Sequence, residues 1–196
     1  MSKIRFDLVA AHIISWVLDP FLVVIVTLIA SHLVQIDQNP GPFVLFLCVA
    51  GLPLFFYYLY VEYQHKEKPW QFFINVPRER RNTLLLMATY TFLFNTLIFA
   101  TQGIVLWQKI SIMFVIYAGI MYLANRFLDK ASWHAGAFAF SVLYLADKIA
   151  IQYALLLILL PVVYWARMKL NRHTWIQLYL GTVIGLIMGL LSWLIS

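Results

Sequence analysis

Residues 134–167 read HAGAFAFSVLYLADKIAIQYALLLILLPVVYWAR, and the way this run folds decides the architecture. As one continuous helix it would be about 50 Å long at about 1.5 Å per residue. That exceeds the thickness of a bilayer, so His134 and Arg167 would stand on opposite sides of a membrane. As a hairpin turning at Asp147-Lys148, the run brings its two ends back to one side. The ends carry two polar islands, Lys130-Ala131-Ser132-Trp133-His134 and Arg167 followed by His173. Basic and imidazole side chains are costly beside hydrocarbon, so islands of this kind mark working sites. The hairpin is the expected fold.

Composition places the whole chain in the membrane class. Hydrophobic residues make up 63% of the 196 positions and charged residues 11%, against roughly 25% charged in a soluble domain. The length suits a single domain, residues 1–196. Cys48 is the one cysteine, so no internal disulfide can form. No Cys/His cluster has zinc spacing, and no metal or cofactor is expected. The net charge of +6 is accounted for by Lys and Arg beside apolar segments, and no nucleic-acid partner is expected.

The first apolar stretch, about Leu8 to Val34, is too long for the roughly 7–15 residues of a signal-peptide core. It reads as a retained helix bent at Asp19-Pro20, where proline removes a backbone donor. Six stretches follow: Phe43–Val61, Thr83–Thr101, Ile110–Asn125, His134–Ala146, Ile149–Trp165 and Trp175–Ile195. The expectation is an all-α integral membrane protein, a helical bundle of six to seven transmembrane segments. Alternating sides from the N-terminus, one side receives Lys3, Arg5, Lys66, Lys68, Arg78, Arg80, Arg81, Arg126, Lys130, Arg167, Lys169 and Arg172. The other receives Lys109 and Lys148. The positive-inside rule then puts both islands on the cytoplasmic side, although a phosphate site would gather cations on its own face as well.

The spacing of Arg167 and His173 resembles the third motif of the type 2 phosphatidic acid phosphatase superfamily, Ser-Arg-(five)-His-(three)-Asp. Ala131-Ser132-Trp133-His134 is similar to its second motif, Pro-Ser-Gly-His, and the two apolar segments between the motifs fit as well. The stretch Arg167 to Gly181 looks like divergent bacterial and archaeal members, which implies a multi-pass protein of a prokaryotic inner membrane. The motifs cover the C-terminal third of the chain. Ala131 stands for proline, Trp133 for glycine, Ala166 for serine and Gln177 for aspartate. The first motif, Lys-(six)-Arg-Pro, is absent as such; the loop holding Lys66, Lys68 and Arg78-Glu79-Arg80-Arg81 occupies its place.

The resemblance implies a metal-independent lipid phosphatase with a phosphohistidine intermediate. His173 would attack phosphorus, and His134 would protonate the leaving group and then activate water. Arg167, Lys130, Ser132 and the arginines Arg78, Arg80 and Arg81 would hold the phosphoryl oxygens. Gln177, at i+4 from His173, shares its helical face; its carbonyl can orient the imidazole but adds no charge, so slower attack is expected. The gathered cations favour a neutral His173. They handicap His134 as an acid, which Asp129 or Glu79 could offset. The substrate would be a lipid phosphate or diphosphate of polyprenyl or phosphatidate type, with membrane lipids around it.

Plainer readings accompany these. His12, His32 and His65 read as structural, and Lys3, Arg5 and Lys169 as topology signals. Arg78-Glu79-Arg80-Arg81 could equally anchor anionic lipid. Gly181, Gly185 and Gly189 form a small-residue ladder for helix packing, a possible face for a homo-oligomer. Two other functions remain open: a non-catalytic lipid-binding or transport protein, and an intramembrane prenyltransferase. The latter needs aspartate clusters for magnesium, for which Asn125-(three)-Asp129 is a poor match.

Overall fold

The structure is a computed structural model that describes residues 6–34, 39–65 and 78–195. Among the described residues it is all-helical, and the chain divides into two compact units. The first comprises residues 1–35 and 130–196, the second residues 36–129. Among the described residues, four helical segments are long and apolar enough to cross a membrane: Arg80–Gln102, Val105–Leu128, Ile151–Lys169 and Trp175–Leu194. A fifth is counted if the bent pair at the N-terminus is one span.

In the first unit that pair is α1 (Phe6–Val17) and α2 (Pro20–Val34), bent by 45°. The bend lies at the expected Asp19-Pro20 step. Asp19 caps α2, its Oδ1 accepting from the Phe21 and Leu22 N–H groups at 3.0 and 3.3 Å. Pro20 fills the first helical position, where a missing N–H costs nothing.

α7 (Trp133–Lys148) forms the centre of this unit. At 16 residues it is shorter than the roughly 17–25 of a lipid-exposed span. It does not face lipid: twelve of its residues are buried, against α9 (Trp175–Ile195), α2 and the segment that follows it. A helix apolar all round, as Ala135 to Ser141 is, belongs in such an interior.

The chain turns after Lys148, whose ammonium pairs with Asp147 at 2.9 Å. It returns as a 3-10 helix, Ile151–Leu159, continued by α8 (Leu160–Lys169). This is the expected hairpin. A 3-10 helix rises about 2.0 Å per residue against about 1.5 Å in an α-helix, so the segment reaches roughly 33 Å. The stretched winding lets a short return segment match a hydrocarbon core of about 30 Å.

The glycine ladder joins α9 to α7. A Cβ on Gly181 would meet the Ser132 carbonyl oxygen at 2.2 Å, and one on Gly185 the Gly136 carbonyl oxygen at 2.2 Å. Gly189 abuts the Leu143 side chain. Helices in lipid gain little from hiding apolar surface, so close backbone approach through small residues carries the association. This corrects the expectation that Gly181, Gly185 and Gly189 offer a face for a homo-oligomer: α7 of the same chain covers it.

The second unit contains α3 (Gly41–Phe46), a π-turn (Leu47–Gly51), α4 (Leu52–His65), α5 (Arg78–Gln102), α6 (Val105–Leu123) and a second π-turn (Ala124–Leu128). Gly103, at φ +69°, closes α5 in a Schellman motif. The Ile104 N–H reaches the Phe99 carbonyl at 3.0 Å and the Gly103 N–H reaches that of Ala100 at 3.3 Å. Phe46, Phe92, Phe99, Trp107 and Phe114 fill the core, with the Phe92 and Phe114 rings stacked at 4.9 Å.

Candidate active site

The turn between α8 and α9 carries His173, and local bonds fix both of its ends. α8 closes with Asn171 at φ 52°. The Asn171 N–H reaches the Met168 carbonyl at 2.9 Å and the Arg172 N–H reaches that of Arg167 at 3.0 Å. This is a Schellman motif with asparagine, one of the few non-glycine residues that tolerates the left-handed region, at the turning position. α9 opens with a capping box. Gln177 Oε1 accepts from the Thr174 N–H at 3.3 Å, and Thr174 Oγ1 accepts from the Gln177 N–H at 3.4 Å.

The capping box also sets which nitrogen of the histidine faces Gln177. A backbone N–H can be accepted only by an oxygen, so Gln177 turns its Oε1 inward. The same oxygen lies 3.2 Å from His173 Nδ1, which must therefore donate to it. Nδ1 thus carries a proton. The glutamine thus orients the ring as the sequence leads one to expect, through its carbonyl and without charge.

The first island packs against this turn. The Ser132 N–H donates to the Gln177 carbonyl at 2.9 Å, and Lys130 Nζ donates to the Arg172 carbonyl at 3.2 Å. Ser132 starts α7 with its hydroxyl fully buried and without a hydrogen-bond partner among the described residues. A helix start beside a buried hydroxyl suits an anion. Trp133, standing where the resemblance expects glycine, turns its ring edge-to-face onto Phe21 at 6.3 Å, so its bulk is taken up by α2.

Deeper in the unit, His134 and Arg167 are 5% and 3% exposed. Arg167 Nη1 donates to Ser15 Oγ at 2.6 Å and lies 3.5 Å from His134 Nε2; Ser15 Oγ is also 3.5 Å from that nitrogen. A guanidinium only donates, so His134 Nε2 acts as the acceptor towards it. Asp19 lies within electrostatic reach of Arg167.

Ser15 and Asp19 are the residues that sequence reasoning missed. Asp19 carries a signal, a carboxylate inside an apolar stretch, which the bend at Asp19-Pro20 does not by itself explain. Ser15 carried none. Of the other expected site residues, Arg78, Arg80 and Arg81 belong to α5 of the second unit, with Arg80 half-buried and Arg81 buried. Lys66 and Lys68 lie outside the described residues, as does the side chain of Glu79. Asp129 belongs to the second unit.

His134, Arg167, Lys130, Ser132, His173 and Gln177 are thus carried by one unit, two of its helix starts in direct contact. The arrangement offers two imidazoles, a guanidinium and a helix N-terminus. The chain matches no protein-family model, no curated protein and no solved structure.

Proposed function

We propose that this chain is an integral membrane phosphatase that hydrolyses a lipid phosphate or diphosphate through a phosphohistidine intermediate, without a metal. The observation that carries the reading is the buried approach of Arg167 to His134, 3.5 Å apart. Basic groups brought together in a low-dielectric interior favour an anion with several oxygens, and a phosphoryl group supplies them. The contact of His173 Nδ1 with Gln177 supports it further, since it assigns the attack to Nε2 of the neutral ring.

In the first step His173 Nε2 bonds to phosphorus as the bond from phosphorus to the leaving oxygen breaks. His134, which takes up a proton on Nε2 once Arg167 has turned from it to the phosphoryl oxygens, gives that proton to the leaving oxygen. In the second step water attacks phosphorus, its proton passes to His134, and the bond from phosphorus to Nε2 breaks to release phosphate. Arg167 must exchange Ser15 for phosphoryl oxygens to take part, which also frees His134 Nε2 for proton transfer. The hydroxyl of Ser132 and the start of α7 add hydrogen bonds to the developing charge.

The reading places this chemistry in a multi-pass protein of six or seven spans, with α7 as an enclosed span. The charge asymmetry of the sequence supports a cytoplasmic site in an inner membrane. The deciding experiment is phosphate release by purified protein from lipid monophosphates and diphosphates, with and without a chelator. Release that survives chelation and is lost in His173→Ala is the expected result. Full turnover in His173→Ala would overturn the phosphohistidine mechanism, and lipid binding without release would favour the non-catalytic alternative.

A further inference from the structure

Beside the His173 turn the first unit has an open groove of about 690 Å³, lined by Leu160, Pro161, Tyr164, Trp165, Met168, Lys169 and Trp175. Its size falls in the range of small-molecule sites. The lining is apolar except at one end. Tyr164 directs its hydroxyl away, to Thr182 at 2.7 Å, and presents its ring, which packs edge-on to Trp175 at 5.7 Å. The single charged lining residue is Lys169, part-exposed and paired with Asp7.

Position in the chain gives the groove a direction. Leu160 and Lys169 stand roughly 14 Å apart along α8. Lys169 and Trp175 bracket the turn of residues 170–174, which holds Arg172 and His173. The groove therefore ends where the candidate nucleophile begins. Its other end, at Leu160, follows the 3-10 helix in the chain, which has no buried residue and exposes Ile151, Leu155 and Ile158. Trp165 and Trp175, 42% and 62% exposed, have the amphipathic character found where hydrocarbon meets head groups.

We infer that this groove holds one hydrocarbon chain of an anionic lipid phosphate, with the phosphate at the turn that carries His173. The identity of the head group rests on the phosphatase reading. The choice of an anionic over a zwitterionic lipid follows from Arg172 in the turn at the head-group end and from Lys169, which exchanges Asp7 for the phosphate. A chain lying along α8 covers the apolar lining and stays in the bilayer while its head reaches the turn.

The test uses the full chain in phosphatidylcholine nanodiscs with two photoreactive probes that share one diazirine-bearing chain. One is a lipid phosphonate, which cannot be hydrolysed; the other is a phosphatidylcholine. After irradiation, the labelled positions are mapped by mass spectrometry. The phosphonate is expected to label residues 160–175 in clear preference to the phosphatidylcholine, and an excess of unlabelled alkyl phosphonate should displace it. In Trp165→Ala, which removes an exposed wall, and in Met168→Trp, which fills the groove, this labelling should fall roughly tenfold. Thermal unfolding in detergent verifies that both variants are folded. Equal labelling by the two probes, or selective labelling elsewhere in the chain, overturns the inference. Selective labelling of the groove in a protein that releases no phosphate supports the groove and defeats the phosphatase reading, so the two failures are distinct.

Discussion

Gln177 serves two structures with one oxygen, ending the backbone at Thr174 and orienting the imidazole of His173. A carboxylate would keep both bonds and add the charge that raises the basicity of the ring. Gln177→Glu is therefore expected to raise kcat on a lipid phosphate about tenfold with an unchanged unfolding midpoint. Gln177→Ala loses both bonds, and should lower kcat and cost about 1 kcal/mol of stability, read by unfolding in detergent. An unchanged kcat in both variants would leave Gln177 as a helix cap and nothing more. Its i+4 relation to His173 was legible in the sequence, and so was the capping-box spacing from Thr174. Ser15 is the opposite case. It is one serine in an apolar helix, yet it accepts the 2.6 Å bond from buried Arg167. Ser15→Ala should destabilise the protein by about 2 kcal/mol, the scale of a hydrogen bond to a charged group, and a chemical unfolding curve measures it. A loss no greater than that of an exposed serine would show that Arg167 finds an equal partner elsewhere.

At the scale of elements, glycines of identical sequence character differ by what faces them. Gly185 has the Gly136 carbonyl oxygen where its Cβ would go, while Gly119 in α6 has nothing within 4 Å. Gly185→Ala is expected to separate α9 from α7 at a cost of 1–3 kcal/mol or more, roughly the cost of overpacking. Gly119→Ala should be neutral or stabilising by up to about 1 kcal/mol, the difference in helix propensity. Unfolding midpoints of the two variants decide it, and equal effects would mean that α7 and α9 do not meet through the ladder. The ladder itself was legible in the sequence, but not its partner, because three small residues fit any helix that presents a matching groove. The 3-10 winding of Ile151–Leu159 was also illegible. Its apolar residues suit either helix type, and the tighter winding shows only in the backbone.

On the scale of the whole molecule, the hairpin of α7 and the return segment governs which residues can meet. In a membrane it requires the turn before Gln152 and the turn at Asn171 to face opposite sides. With exposed Cys48 replaced in a Cys48→Ser background, Gln152→Cys and Asn171→Cys should label with an impermeant maleimide from opposite faces of sealed vesicles. Labelling from one common face would refute the hairpin as a membrane crossing. The helical class, the bend at Asp19-Pro20, the hairpin at Asp147-Lys148 and the pairing of the two islands could all be derived from residue order. They follow from hydropathy, chain length and proline, which act locally or along one dimension. Tertiary structure alone decided that α7 is enclosed, that α9 and not another copy covers it, and that Ser15 and Asp19 join Arg167. Those outcomes depend on which helix faces come into contact, and an apolar sequence in an apolar solvent leaves that choice to close packing and to a few buried hydrogen bonds.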